Sequence, residues 1–502
     1  MQSSKDSTRD QDDRKQAHGA PRLPMELWIV VAEHLRHDTT RSFQLYPVRP
    51  FHMPSIKSLR LTSRNLNAAV EPLFWERVEL APVNRGKGSI GIIQHLHQNA
   101  AHREFVKCLI FSMWRPSPPN QPPPDGNSGS DEARPHVETL SRIFTRLHNL
   151  RAIHVNRSHM TCAMYEHLYS LQQLEHVEFS KPPVILLERS LDFDRLDAKM
   201  LRLKAITVSY GATETPPGVS ACARLFLSPS LEKLVTSSSM APFIYALTSQ
   251  QSFDQLRYYE AVEPLELEGF TEFYAFAAHC PNLTSVKFRP RITTEITESD
   301  RIPSPPANIL TQLHSFEGTL ALASRIVPGR PVESVIAAFS SLHSDIPLEA
   351  PLKRLSESSR RIKVLNLTIR YLEDDYLAII SRLVPSVEEL EILLYLHLVP
   401  GVGTIGTRLH LDQLKPLSRL RIFVLKNLQP TSFGPTVIPE PFPELAEGSE
   451  QIPVMKTLCK EHGLLEYVEL GQTVRWIKEH DSWVWRSPSG SGLVDFEVAR
   501  SE

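Results

Sequence analysis

Apolar residues along most of this chain come in short clusters of one design. An apolar anchor is followed by a second apolar residue three positions later and a third two further on. VKCLIF at 106–111, LRAIHV at 150–155, LEHVEF at 174–179 and LKAITV at 203–208 have this form. LEKLVT from 231, LRYYEA from 256, LTSVKF from 283 and LHSFEG from 313 continue it. IKVLNL from 362, VEELEI from 387, LRIFVL from 420 and LEYVEL from 465 bring the number of units to twelve. Alternation after the anchor is the period of a β-strand with one buried face. MTCAMYEHLYSL (160–171) and FTEFYAFAAHCPNL (270–283) predict helices between strands. Prolines stand shortly before the anchors in SPSLEKL, CPNL and VPSVEEL, where they stop a helix.

The spacing of the anchors turns alternation into an architecture. From Leu150 to Leu313 the steps are 24, 29, 28, 25, 27 and 30 residues, at the long end of the leucine-rich-repeat period. Each unit buries little alone, so neighbours must stack. The expectation is an α/β solenoid of parallel strands with helical returns over 81–502, behind a small three-helix module at 21–80 and a polar, disordered tail at 1–20. Longer steps of 44, 49 and 45 residues interrupt the series after Val106, Leu313 and Leu420. Proline-rich stretches near 115–135 and 429–453 fill the first and last of these, and a third at 289–308 lies inside a normal step. All three are expected to be loops without regular structure. The units lack the invariant Asn or Cys of the regular repeat and correspond to a degenerate variety.

Composition narrows the function classes. Net charge is −2, which argues against a broad nucleic-acid surface. No run approaches the ~18 apolar residues of a membrane span. Cys108, Cys162, Cys222, Cys280 and Cys459 are odd in number and far apart, so a reducing compartment, cytoplasm or nucleus, is expected. No metal or cofactor ligand set stands out. GVGTIG (401–406) has glycine-loop spacing, but Pro400 precedes it and the next strand ends in Lys426 and Asn427 rather than an acid, so a turn is expected. His95, His97 and His102 lack i, i+4 spacing and are expected on a solvated helix face. Trp476, Trp483 and Trp485 suit a cap over the last repeat, or alternatively a ligand pocket.

The first predicted helix, in RLPMELWIVVAEHL (22–35), is apolar nearly all round. Such a helix must be buried all round, and a module of this size covers one face. The other face needs the solenoid or a second protein. Together with SLRLTSRNLNAAVEPLFWERVEL (58–80), the segment resembles an F-box of the fungal style, in which a degenerate leucine-rich array often follows. Leu23, Pro24, Glu26, Leu27, Val31 and Leu35 match the first half of that pattern, and Leu59, Ser63, Arg64, Leu66 and Trp75 the second. RHDTTRSFQLYPVRPFHMPSIK (36–57) separates the halves more widely than the family does. The resemblance implies a substrate-recognition adaptor of a cullin-based, SCF-type ubiquitin ligase, with no chemistry of its own. Leu23, Pro24, Leu27, Trp28, Val31 and Leu35 would dock a Skp-family linker. The repeats would hold an unidentified protein substrate.

Strand alternation places His154, Asn156, His176, Glu178, Tyr258, Glu260, Lys287, Arg289, Glu389, Glu391 and Lys426 on the concave face as the candidate substrate surface. A plain repeat scaffold whose N-terminal helices only cap the array is the alternative. An enzyme, suggested only by the glycine string, is a distant third.

Overall fold

The structure is a computed structural model. It describes residues 71–80, 87–112, 134–156, 159–180, 184–186, 201–208, 225, 228–237, 252–262, 267–289, 302–338, 348–369, 372–394, 410–427, 451–471, 474–480, 482–487 and 490–494. The chain divides into two compact units, Met1–Phe111 with Pro116–Arg151, and Ser112–Arg115 with Ala152–Glu502. The polar tail, the segment 22–70 and GVGTIG lie outside the described residues.

In the first unit residues 71–76 are helical and lead into β1 (Arg77–Leu80). Helices α1 (Lys87–Gln98) and α2 (Ala100–Phe105), strand β2 (Cys108–Ser112) and helix α3 (Arg134–Phe144) follow. β1 pairs with β2 in parallel, Val78 opposite Leu109. Trp75, Val78 and Leu80 are buried and keep the anchor spacing, so the last residues of the segment expected as a helical module at 21–80 form a repeat strand, and the repeats begin before residue 81. The histidines depart from expectation. His97 is exposed, but His95 and His102 stack on Trp75 with ring centroids 4.7 and 5.0 Å away. His95 Nε2 lies 2.5 Å from His102 Nδ1, and His102 Nε2 meets Glu71 Oε1 at 3.0 Å. An indole face draws both rings off the solvated side, a contact that helical spacing does not reveal.

The second unit begins with β3 (Ala152–Asn156), β4 (His159–Thr161), α4 (Cys162–Leu168), β5 (His176–Phe179), β6 (Val184–Leu186), β7 (Ala205–Val208) and β8 (Lys233–Thr236). Next come β9 (Tyr258–Ala261), α5 (Leu267–Ala277), β10 (Ser285–Phe288), β11 (Ser315–Thr319), α6 (Leu320–Ile326), β12 (Ser334–Ala338) and α7 (Glu349–Leu355). The unit ends with β13 (Val364–Ile369), α8 (Tyr376–Leu383), β14 (Glu389–Leu394), a 3₁₀ turn (Leu411–Leu414), β15 (Ile422–Asn427), α9 (Ile452–Glu461), β16 (Tyr467–Leu470), β17 (Val474–Glu479), β18 (Ser482–Ser487) and β19 (Gly490–Val494).

From β3 to β16 each strand pairs in parallel with the next in sequence, β4 and β6 excepted. β4 and β6 form a separate two-stranded pair. Sequential order without reversal, at a repeat spacing, makes the unit an α/β solenoid of leucine-rich-repeat type. β17, β18 and β19 close the run as an antiparallel meander. Trp476 is fully buried there and its Nε1 donates to Gln451 Oε1 at 2.7 Å, as a cap requires.

Registry explains the core. Ile153, Val177, Ile206, Leu234, Tyr259, Val286, Phe316, Val335, Leu365, Leu390, Phe423 and Val468 form one buried row across the strands. Burial of one such side chain contributes about 1.5–3 kcal/mol. The row contains a repeat absent from the twelve. Val332, Val335 and Ala337 occupy the anchor positions of β12, dividing the step of 49 residues. Its small residues and short spacing from Leu313 hide it in the sequence.

A further core position lies three residues before the anchor, where the anchor's N–H closes a turn onto the carbonyl. Leu171, Ser228, Phe253, Cys280, Leu310, Val384, Leu417 and His462 hold it, all buried. Ser228 and His462 are the polar members, bonded to the carbonyls of Leu201 (2.9 Å) and Leu417 (3.1 Å) of the previous coil. The stretch 302–308, expected as loose loop, is tied down. Tyr274 donates to the Pro303 carbonyl, and Arg330 donates to those of Pro305 and Pro306. Prolines cannot donate, but their carbonyls are strong acceptors for a buried cation.

Candidate functional site

The residue just after each anchor is charged in most coils, with alternating sign. In the second unit it reads Glu175, Lys204, Glu232, Arg257, Thr284, His314, Glu333, Lys363, Glu388, Arg421 and Glu466. Each of these amides from Lys204 onward donates to the carbonyl of the preceding member. Side-chain pairs Lys204–Glu175 (2.9 Å), Lys363–Glu333 (2.8 Å) and Arg421–Glu466 (2.8 Å) decorate this rim. Exposed pairs contribute about 0.2–1 kcal/mol, so the ladder adds little to stability.

The face opposite the buried row carries the polar residues. One row runs His154, Glu178, Thr207, Val235, Glu260, Lys287, Glu317, Ile336, Asn366, Glu391, Val424 and Glu469. The row beside it runs Ala152, His176, Ala205, Lys233, Tyr258, Ser285, Ser315, Ser334, Val364, Glu389, Ile422 and Tyr467. Asn156, Arg289 and Lys426 continue the alternation at their strand ends. All eleven residues that alternation nominates therefore share this face.

Charges on the face are mostly paired to one another. His154 Nδ1 lies 2.8 Å from Glu178 Oε2, and that hydrogen bond holds the Glu178 carboxyl below its ordinary pKa against the opposing effect of burial. Ser180 Oγ donates to Asn156 Oδ1 at 2.6 Å. Glu260 accepts from Tyr258 Oη at 2.8 Å and from Arg289 Nε at 2.9 Å. Burial first, and then the Glu260 charge, push the Tyr258 phenol well above its ordinary value. Lys287 Nζ meets Glu317 Oε1 at 2.7 Å. Asn366 donates to Glu391, and Lys426 stands between Glu391 (3.4 Å) and Glu469 (3.6 Å). Glu469 also accepts from Tyr467 at 3.0 Å and pairs with Arg475 at 3.5 Å; the Tyr467 phenol is pushed up to about 12, by burial and then by Glu469.

Two of the nominated residues offer little to a partner. Glu260 and Lys287 are each 6% exposed, being packed under their own ion-pair partners. His176, Arg289 and Glu389 are exposed, and His154, Asn156, Glu178, Tyr258 and Glu391 are half-buried. Lys233, Glu317, Glu469 and Arg475 belong to the same face but were not among the eleven. The parity of LEKLVT, LHSFEG and LEYVEL carries the first three of these. Leu23, Pro24, Leu27, Trp28, Val31 and Leu35 lie outside the described residues. Cys108, Cys162, Cys280 and Cys459 are free thiols, and burial raises Cys280 and Cys459 away from reactivity. Among the described residues no helix is long and apolar enough to cross a membrane.

The fold and face define a leucine-rich-repeat-like solenoid with a polar, ion-paired open surface. No family model matches the chain, and no curated protein does. Among solved structures it is similar to a chain of the yeast Rad7 and Elc1 complex at 12% identity, covering 74% of this chain and 88% of that one, with a TM-score of 0.36. It is also similar to TLR13, solved with ssRNA13, at 9% identity and TM-score 0.28; this chain covers 40% of that one's length. A plant peptide hormone receptor, RGFR1 with RGF2, matches at 11% identity, 45% of its length and TM-score 0.21.

Proposed function

We propose that the chain is a non-catalytic recognition adaptor of an SCF-type ubiquitin ligase. A Skp-family linker docks on the segment predicted as the first helix through Leu23, Pro24, Leu27, Trp28, Val31 and Leu35, and a protein target is held on the open face of the solenoid. The observation that carries this reading is the junction. Trp75, Val78 and Leu80 end the segment that resembles an F-box, and they also form the buried side of β1, which pairs with β2. A docking segment whose last residues already form a repeat strand needs no separate linker before that strand. The all-round apolar character of 27–35 supports the docking role, since an interface core is desolvated on binding.

The test is capture of purified Skp-family linker by the full chain. Wild type should bind, and Leu27→Asp with Val31→Asp should abolish capture while the circular dichroism of the solenoid is unchanged. Absence of capture by folded wild type would remove the adaptor reading and leave a plain repeat scaffold.

A further inference from the structure

We propose that the β5–β8 stretch of the open face docks an anionic side chain, a carboxylate or a phosphorylated residue, of an extended partner peptide, held between His176 and Lys233 above Ala205 and Thr207. This rests on the open face being the target-binding surface.

Carboxylates in this half of the face already have partners. Glu178 is bonded to His154, Glu260 to Tyr258 and Arg289, and Glu175 on the rim to Lys204. Two basic groups are left over. Lys233 is exposed; its ammonium lies 4.8 Å from the centre of the Tyr258 ring, and no carboxylate among the described residues is within ion-pair distance. His176 is likewise exposed.

Registry sets these two groups on either side of one residue. His176 pairs with Ala205, and Ala205 pairs with Lys233. Strands lie about 4.8 Å apart, so the two Cα atoms are roughly 10 Å apart. That gap leaves room for one carboxylate or phosphate between the two side chains, at charge-assisted distances of about 2.7–2.9 Å from each. The methyl of Ala205 leaves the space between them open, and Thr207 places a hydroxyl in the adjoining row.

The local field agrees. The His176 ring is held below the ordinary histidine pKa, chiefly by desolvation against the sheet although its edge meets solvent, with Glu175 opposing and Lys204, His154 and Lys233 adding to the depression. The ammonium groups of Lys204 and Lys233 both act on the ring, and an anion placed beside it gains from their charge. The preference is confined to this end. Six strands along the same row the exposed charge is Glu389, with no basic group within ion-pair distance among the described residues.

The test uses fluorescence anisotropy of the full chain with three fluorescein-labelled decapeptides of Gly and Ser, bearing a central Glu triplet, a central phosphoserine, or a Gln triplet. The Glu and phosphoserine peptides should bind, the Gln peptide should not, and the ratio of the first two identifies the anion. Lys233→Ala should weaken binding about 5- to 30-fold, the effect of one lost charge-assisted bond, and Lys233→Glu should abolish it. Glu389→Gln should leave it unchanged. In proton NMR the anionic peptide should move the His176 titration upward.

Equal binding of the Gln peptide, unchanged affinity in Lys233→Glu, or no binding of any peptide would overturn the proposal. Lys233 is exposed, so its variants should keep the wild-type thermal midpoint; His176→Gln serves as a second, independent variant. Linker capture is measured on the same preparations. Loss of peptide binding with capture intact sinks the anion site alone, and loss of capture with peptide binding intact sinks the adaptor reading alone.

Discussion

Replacing Arg330 should loosen one coil of the solenoid by a calculable amount. The residue is 5% exposed, and among the described residues its guanidinium donates only to backbone carbonyls: Ile309 (3.2 Å), Ile326 (2.9 Å), Pro328 (2.9 Å), Pro305 (3.0 Å) and Pro306 (2.9 Å). Hydrogen bonds to a charged group contribute about 1.5–3 kcal/mol each, but five of them do not add. Desolvation of the cation, which also draws its pKa down, opposes them. Arg330→Met keeps the stem and removes every donor, so the carbonyls must find water or stay bare at about 1 kcal/mol each. The expected net loss is about 3–5 kcal/mol, typical of breaking a buried charged network. Arg330→Lys retains the charge but has three donors and no planar fork, so it should recover only part of the loss. Urea unfolding followed by tryptophan fluorescence gives the magnitude. Limited proteolysis gives the place, because cleavage should rise first within 302–309. A Met variant within about 1 kcal/mol of wild type, with an unchanged digest, would refute the staple.

Other outcomes follow from single contacts. In Gly318→Ala the new Cβ would stand 2.9 Å from Phe316 Cζ and 3.1 Å from Cε1, in a ring with no exposure; the overpacking should cost about 1–3 kcal/mol by thermal or urea unfolding. Trp476→Phe removes the indole donor to buried Gln451 and should cost about 1–2 kcal/mol in the same assay, with the meander β17–β19 losing hydrogen-exchange protection first. His462 sits in a core position with Nδ1 donating to the Leu417 carbonyl, so a second proton would go to Nε2, which has no hydrogen-bond partner among the described residues. Burial depresses its pKa against the Leu417 carbonyl and Glu461. The unfolded chain, near pKa 6.5, takes up the proton first, so this site costs nothing above about pH 6.5 and destabilises as pH falls toward the depressed value. The midpoint temperature of wild type should therefore drop more between pH 7.5 and 5.5 than that of His462→Leu; parallel curves would refute the assignment.

The strand positions were legible because a solenoid repeats its solution, so a weak local signal recurs at a countable interval. The parity of each strand followed from the same clusters, and it placed all eleven nominated residues on one face. The helical returns at 162–168 and 267–277 and the stops at Pro281 and Pro385 behaved as the pattern implied. Where the signal failed, substitution had removed it. Val332, Val335 and Ala337 fill anchor positions without leucine, and Trp75 begins a repeat inside a segment whose motif pointed elsewhere. The alternating charges after the anchors are also written in the chain, but they become a ladder only once coils are aligned.

What the sequence determined by itself is thus the repeat, its parity and the order of its strands, since these depend on periodic burial along one chain. What the tertiary structure alone decided is who meets whom. Arg330 finds proline carbonyls more than twenty residues earlier, and His95 and His102 meet on the face of Trp75. Glu260 and Lys287 are taken up by Arg289, Tyr258 and Glu317, while Lys233 and His176 stay uncovered. Backbone acceptors look alike in every sequence, and a charge carries no mark of its partner. Pairing is set by the stagger of neighbouring coils, and that stagger exists only once they have stacked.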